Sequence, residues 1–528
     1  MPARLVMDAM IRRADFWQEG TKQQEPTVSA RPASSITFEN LRSDSAFVLS
    51  LRKPDFQRET NQWSVAQAVT FIQSFIDGDL VPSVILWQSD EGYIFAIDGA
   101  HRLSSLRAWI EDDYGDGPVS IAFFGGEIPG EQKKAARLMR NSIERQVGSY
   151  KALMSMMAAR AKNPEVDYDT KTNKRLRHLG SRQLELQWVT GNADVAEASF
   201  FKINTQGTPL DKTEEELLRN RRRAQAIAAR SIVRAATGHK YWSKFDEAAR
   251  KKIESLASEA NVLLFQPELS TPIKTLQLPL GGSASTLDSL WLLMRLLSIT
   301  EGTLKDRKPA LDSTDNDDDG SLTIATLQAC IATLRRLSGN DGASLGLHPA
   351  VYFYSDRGKY LPDLFLGTSY LIKGKLLNND GGFYKKFTTG RKTIEEFLIA
   401  KKALITQVLQ QINSRVRTER VADILDYLVD NAAGGLTIDG VANAAKLNGS
   451  IVDLREKVEG KAFTETGKST ILLRQALRSA IRCPICGGLL EPSLSVSFDH
   501  IDRKADGGTG DDTNGQIAHP YCNTGYKN

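Results

Sequence analysis

Three of the four cysteines in this 528-residue chain, Cys483, Cys486 and Cys522, fall in the closing stretch RCPICGGLLEPSLSVSFDHIDRKADGGTGDDTNGQIAHPYCNTGYKN. Two of the six histidines, His500 and His519, fall there too. A C-x-x-C turn lets two thiolates face one ion, and His519 with Cys522 repeats that spacing. The four together suit a tetrahedral Cys3His zinc site. A metal would also explain how so short and Gly-rich a segment keeps a shape, because binding then supplies folding free energy.

A second set of groups lies between and after the ligand pairs. VSFDH alternates as a strand should and ends in Asp499-His500, and a Gly/Asp loop containing Asn514 follows. Asn523 and Lys527 come after the last ligand, where a short helix is expected. Asp499 and Asn523 can bind a hard divalent cation, and His500 can take a proton from water attacking a phosphodiester. The cation would polarise the phosphate and stabilise the leaving oxygen.

This order of groups resembles the HNH (ββα-metal) endonucleases, which read C-x-x-C, D-H, N, then a second ligand pair followed by N-x-x-x-K. The resemblance implies His500 as general base, Asp499 and Asn523 as ligands of Mg or Mn, and Asn514 as the residue orienting loop and base. His519 stands where many relatives carry cysteine, and zinc accepts imidazole. The competing reading is a zinc finger that only binds DNA. Four ligands with D-H and two asparagines in order favour the nuclease.

The rest of the chain sets the frame. Its length predicts two to four domains, and 41% hydrophobic residues is ordinary for a globular protein. A net charge of +4 and a pI near 8.6 are mildly basic, so nucleic-acid affinity has to come from local patches. Cys330 alone remains outside the metal set, which leaves no disulfide framework and suits a reducing compartment. MPARLVMDAMIRRADFW has no signal-peptide apolar core, and no run is long enough to span a membrane. The expectation is a cytoplasmic protein without a membrane partner.

Residues 1–35 read as a polar, Pro-bearing leader. ITFENL is a short strand candidate and FQRETNQW a loop entering a helix. WSVAQAVTFIQSFIDG carries apolar residues at Val65, Val69, Ile72, Phe75 and Ile76, a helical stripe. VPSVILW and GYIFAI read as strands, and a helix is predicted from about His101, directly after the turn Asp98-Gly99. A strand that ends in a Gly turn and opens a helix presents free amides and a positive dipole end to phosphate. Arg102 and Arg58 could add charge-assisted contacts, and Asp98 could hold a metal.

IDGAHRLSSL is similar to the IDGQQRLTTL motif of the ParB/sulfiredoxin-like domain in GmrSD-type restriction proteins and phage-defence relatives such as SspE. FQRETNQW resembles that domain's upstream segment, and FFKINTQGTPLDKTE its F-x-x-x-N-x-x-G-x-x-L signature at Phe200, Asn204, Gly207 and Leu210. The resemblance implies binding and hydrolysis of a nucleoside triphosphate (NTP), with Asp98, Gly99, His101, Arg102, Arg58 and Asn204 at the site. Ala100-His101 replaces Gln-Gln, which supports binding better than hydrolysis. The motif holds no cysteine, which argues against sulfiredoxin activity.

Two basic runs, 171–182 and 217–223, read equally as solvated helix faces or as contacts to the DNA backbone. His178 is expected at the surface, and His348 as a hydrogen-bonded core histidine. From about 223 to 470 nearly every segment has helical period. DSTDNDDDGSLTIATL places Asp315, Asp317, Asp319 and Gly320 as in a calcium loop. Thr326 stands at the twelfth position, where a bidentate acid is needed, so a self-repelling acidic linker is the better reading.

The expected fold is multidomain α+β. It comprises a leader (1–35), a ParB/sulfiredoxin-like α/β nucleotide-binding domain (36–222), an α-helical middle domain with an acidic linker near 310–320 (223–470), and a zinc-stapled HNH module (471–528). The expected function is a metal-dependent DNA endonuclease of a restriction or anti-phage system, with structural Zn and catalytic Mg or Mn. It would be regulated by NTP and directed at modified DNA. DNA and NTP are the expected partners, with a homo-oligomer or a defence-system partner protein left open. The alternatives are a non-cleaving, NTP-responsive DNA-binding regulator and an NTP-driven clamp of ParB type.

Overall fold

The apolar runs VILW and IFAI become neighbouring strands because each is covered on both faces, the situation in which a strand reads as continuous rather than alternating. In the computed structural model they are β4 (Val84–Gln88) and β5 (Ile94–Asp98), inside a mixed six-stranded sheet. The other strands are β1 (Arg13–Ala14), β2 (Ser35–Ile36), β3 (Leu51–Pro54) and β6 (Leu184–Val189), in the order β1-β3-β5-β4-β6-β2. β4 runs antiparallel to β5 and parallel to β6. The structure describes residues 5–14, 33–54, 63–126, 128, 130–206, 212–237, 240–283, 286–302, 304–305, 308–309, 315–447 and 462–527. The chain divides into two compact units, Met1–Arg221 with Thr237–Tyr241, and Arg222–Ala236 with Trp242–Asn528.

In the first unit, helix α1 (Val65–Asp77) opens with a reciprocal Ser64/Gln67 capping box and buries Val69, Ile72, Phe75 and Ile76. It ends at Gly78, whose φ of +91° favours glycine. Helix α2 (Ala100–Glu111) follows the Asp98-Gly99 turn as expected. The basic run 171–182 is mostly helix α3 (Thr170–Ser181), and two of its cations, Arg175 and Arg182, face inward. Arg175 donates to Asp77 (2.9 Å) and to the Val147 carbonyl (2.7 Å), and Arg182 stacks over Phe75. Hydrogen bonding to Arg175 holds the Asp77 carboxyl below its ordinary value, against its partial burial. His178 is half-buried with Nδ1 2.7 Å from the Ile76 carbonyl, so it is a packing residue rather than a surface one. Helix α4 (Ala193–Gln206) carries Phe200 into a small core with Trp87, Phe95 and Ile97.

The leader is corrected in its first part. Leu5, Met7, Met10 and Ile11 are core residues, and β1 pairs in parallel with β3. Buried Asp8 accepts from Lys53 (3.2 Å) and faces Arg13 (3.8 Å), so the charges that suggested a loose tail neutralise one another inside. Residues 15–32 lie outside the described residues.

The second unit is helical around α5 (Ala224–Val233), all ten residues of which are buried. Around it are α6 (Glu247–Phe265), α7 (Thr286–Glu301) and α8 (Ser321–Leu337). Beyond these, α9 (Pro362–Leu377) packs on α11 (Arg417–Asn431), and α10 (Gly381–Gln411) runs beside α11. The acidic linker is also corrected where it is described. Asp317 is buried and accepts from the Gly320 amide (2.8 Å), the Thr323 amide (2.8 Å) and the Thr323 hydroxyl (2.6 Å) at the start of α8. Its carboxylate satisfies the helix's orphan amides, so it is neither a calcium ligand nor a repelling tail charge. Residues 310–314 lie outside the described residues.

The last segment, after α12 (Glu465–Ser479), belongs to this same unit. Loop 339–346, following α8, holds it by backbone and side chain. The Tyr521 amide donates to the Ser344 carbonyl (2.9 Å), and the Val496 amide to the Asn340 side chain (2.9 Å). Arg336 on α8 lies over the rings of both Tyr384 and Tyr521, at 4.0 and 5.0 Å from their centroids. Among the described residues, no helix is long and apolar enough to cross a membrane.

Candidate functional site

At the first unit's turn, Gly99 has φ +91°, and a Cβ there would come within 2.8 Å of the Val84 side chain. Glycine is required, and α2 starts without a side-chain cap. Arg102 turns back to Asp98 (2.6 Å) and to the Ser83 carbonyl (3.1 Å), so these two candidates are each other's partners. His101 lies in a stack with Trp63, their ring centroids 5.7 Å apart and 22° from parallel. Trp63 was not singled out from sequence, although it closes the same FQRETNQW segment. Arg58 and the Asn204 side chain lie outside what the structure describes. In the second basic run, Arg219 pairs with Glu215 and Arg221 with Glu197, each within its own fold.

In the C-terminal segment, Cys483, Cys486, His519 and Cys522 converge in a buried cluster with their ligand atoms all within 4.8 Å of one another. Zinc–sulfur bonds of 2.3 Å at tetrahedral angles place sulfurs about 3.8 Å apart, so the cluster fits a zinc ion. His519 Nε2 lies 3.0 Å from the Leu489 carbonyl, and a carbonyl only accepts, so Nε2 carries the hydrogen. Nδ1 then turns its lone pair to Cys486 Sγ (3.3 Å) and Cys522 Sγ (3.8 Å). Burial, and next the charge of Arg391, hold this imidazole below its ordinary pKa, in the neutral form that metals bind. The sulfurs compete for protons. Hydrogen bonds from Cys486 and then Cys522 drive Cys483 towards thiolate, while Cys483 pushes Cys486 up to about 11. Cys330 stands apart, its thiol raised to about 12 by burial and thereby inert.

Strands β7 (Ser497–His500) and β8 (Gly515–Ala518) form an antiparallel hairpin with Asp499 opposite Gln516 and His500 opposite Gly515. Asp499 is buried. Its carboxylate accepts from Lys527 Nζ at 2.8 and 3.0 Å and from Gln516 Nε2 at 2.8 Å. Lys527 also donates to the His500 carbonyl. The expected short helix is a single π-type turn, Cys522–Tyr526. From it, Asn523 Nδ2 reaches Ser497 Oγ (2.8 Å) and the Phe498 carbonyl (3.2 Å). Asn514 clamps the intervening loop, donating to the carbonyls of Thr509 (2.8 Å) and Asp502 (3.2 Å) and accepting from the Asp502 amide (2.8 Å).

His500 is half-exposed at the strand end, and its imidazole has no partner among the described residues. Beside it a groove of about 590 Å³ is lined by Ile501, Arg503, Gly508, Asn514 and Lys527 among others, and Phe498 is 80% exposed. Asp499 and His500 thus lie on β7, Asn514 in the loop of the hairpin and Asn523 on the turn that follows it, in the same segment as the Cys3His cluster. Gln516, Arg391 and Glu395 were not foreseen. Only the register of the hairpin could have pointed to Gln516.

His348 differs from its expectation. It is fully buried, but neither ring nitrogen finds a hydrogen bond, and the nearest charge is Glu491 at 3.9 Å. Burial lowers its pKa, so it packs as a neutral ring.

Residues 38–222 match the family model described as the GmrSD restriction endonuclease N-terminal domain, and residues 483–528 match that of the HNH endonuclease. No curated protein and no solved structure matches the chain. The chain is thus a DNA endonuclease of GmrSD-like architecture, with a GmrSD N-terminal domain and a C-terminal HNH domain on one polypeptide.

Proposed function

We propose that the HNH hairpin hydrolyses DNA phosphodiesters with His500 as general base, with Asp499 and Asn523 holding Mg or Mn, and with zinc at Cys483, Cys486, His519 and Cys522. The observation that supports this reading best is the half-exposed, unpartnered imidazole of His500, adjacent in the strand to the buried carboxylate of Asp499. A half-exposed ring can take a proton from water, whereas a buried carboxylate is shielded and preorganised for a cation. Asn514 acts through the loop it clamps, keeping the chain after His500 in one conformation.

In the same proposal, NTP binds at the Asp98-Gly99 turn of the first unit and regulates cutting, with modified DNA as the target. The Gly99 turn leaves amides of α2 without a side-chain cap, which suits phosphate, and Arg102 can exchange Asp98 for a phosphate oxygen. The deciding experiment incubates zinc-loaded protein with modified and unmodified plasmid, Mg or Mn, and each NTP. His500→Ala should abolish nicking while DNA binding and zinc content stay normal. Undiminished nicking by that variant overturns the assignment. Cleavage by the wild type that is indifferent to every NTP and to modification removes the regulatory half alone.

A further inference from the structure

Helix α10 lies far from the HNH module in sequence, yet two of its residues reach the module's metal cluster. Arg391 and Glu395 are 1% and 0% exposed and form an ion pair of 2.7 Å one helical turn apart. A pair so buried survives only where the surrounding groups complete its hydrogen bonds. Those bonds run to both sides of His519. Glu395 Oε2 accepts from the Leu489 amide (2.6 Å), and the carbonyl of that same residue receives His519 Nε2. Arg391 donates to the carbonyls of Leu345 (2.5 Å) and Gly346 (2.8 Å). Gly346 presses on the imidazole, since a Cβ built there would lie 2.9 Å from His519 Cδ2. The knuckle itself touches the pair, because a Cβ on Gly488 would come within 2.6 Å of Arg391 Nε.

Accordingly, we propose that Arg391 and Glu395 are positioning residues of the zinc site: the pair fixes the backbone of Leu489 and the 345–346 loop, and these hold His519 in the tautomer and orientation that bind the metal. The proposal rests on the reading that Cys483, Cys486, His519 and Cys522 hold zinc. Groups beyond the ligands commonly set both the tautomer and the basicity of a metal-binding imidazole, and their loss weakens metal binding about ten- to a hundredfold. Glu395 is well suited to this task. Its two oxygens serve Arg391 Nε and the Leu489 amide at once, with Tyr352 Oη 3.1 Å from Oε1. A glutamine has one acceptor oxygen, so one of those N–H groups would be left unsatisfied.

The test uses full-length protein. Zinc stoichiometry of the wild type is measured first, then the rate of zinc transfer to a competing chelator, and the visible spectrum of the Co²⁺-substituted site. Glu395→Gln should release zinc about ten- to a hundredfold faster and should shift the Co²⁺ ligand-field bands, which report ligand geometry rather than overall stability. Arg391→Lys keeps the charge and makes no hydrogen bond to a ligand, but one ammonium cannot replace the guanidinium's bonds to Glu395 and to the Leu345 and Gly346 carbonyls, and it should move both readouts the same way. It decides the matter alone if Glu395→Gln does not fold. Wild-type protein without zinc overturns the metal reading and this inference together. Stoichiometric zinc with unchanged release and spectra in the folded variants overturns only the role of the pair.

Discussion

The contact between Lys527 and Asp499 makes a sharp demand on divalent-metal binding. The ammonium lies 2.8 and 3.0 Å from the two carboxylate oxygens, with side-chain exposures of 17% for Lys527 and 5% for Asp499. At an effective dielectric constant of about 20, charges at this distance attract by roughly 6 kcal/mol, before desolvation is subtracted. Leaving one member of a buried pair alone costs about 3–5 kcal/mol. The partial exposure of Lys527 argues for the lower figure. If Asp499 is the ligand of the catalytic cation, the cation and the ammonium compete for one carboxylate. Lys527→Met removes the competitor, so the variant should bind Mn²⁺ with a Kd lower by about a hundredfold, since 1.4 kcal/mol is a factor of ten.

The assay is Mn²⁺ titration of zinc-loaded protein, with free Mn²⁺ read by electron paramagnetic resonance. Thermal unfolding gives an independent check. In metal-depleted buffer that leaves zinc in place, Lys527→Met should melt below the wild type, and saturating Mn²⁺ should close the gap by mass action. Equal or weaker Mn²⁺ binding by the variant would refute the reasoning. It would mean that Asp499 is not a ligand, or that Lys527 helps to hold the ion.

Two further predictions concern the helical unit. Asp317→Ala strips the start of α8 of three hydrogen bonds and should cost about 2–3 kcal/mol in chemical denaturation, while added Ca²⁺ should leave the wild-type melting temperature unchanged. Lys402 is buried, its ammonium donating to the Val351 carbonyl, and desolvation lowers its pKa from 10.5 to about 7. The unfolded chain therefore binds the extra proton between these values, and wild-type stability should rise with pH from about 7 towards 10.5. Lys402→Met should be more stable at pH 7 by about 2 kcal/mol, less than the full linkage because the hydrogen bond is lost. That advantage should shrink as the pH is raised, and a gap in melting temperature constant with pH would show that Lys402 is neutral or solvated.

The parts of the site legible from sequence are those set by short-range geometry. The C-x-x-C and H-x-x-C spacings identify four residues that do converge, and VSFDH alternates because Asp499 faces inward while Phe498 faces solvent. The turn at Asp98-Gly99 is legible for the same reason, since only glycine fits beside Val84. Long-range pairing escaped the reading. Arg13 and Ala14 look like part of a polar leader until β3 supplies a partner strand, and Asp8 looks solvated until Lys53 meets it. Arg391 and Glu395 have the spacing of a surface ion pair, and nothing within α10 reveals that the Cys483–Leu489 turn covers them. Asp317 was hidden among neighbouring acids, although only its carboxylate turns inward to cap α8. Composition marks such groups as charged, but the burial of Asp8, Arg391 and Glu395 depends on contacts tens of residues away.

Those contacts also bear on how cutting could be controlled. An HNH module on a flexible tether could be released towards DNA, but this one is fastened to loop 339–346 and to α10 by hydrogen bonds at several points. Control by nucleotide would then act on what reaches the hairpin, not on where the hairpin sits. A disulfide can test this. An ideal Cβ on Gly342 lies 3.6 Å from Thr524 Cβ, within the separation that a disulfide needs. Gly342→Cys with Thr524→Cys should therefore close a bridge between the loop and the turn after Cys522, with zinc loaded first to protect the ligand thiolates. If the module works where it stands, oxidised and reduced forms should nick plasmid at the same rate and respond alike to NTP. If the oxidised form is inert and reductant restores cutting while zinc content is unchanged, the module must leave its seat to act, and the fixed-hairpin argument fails.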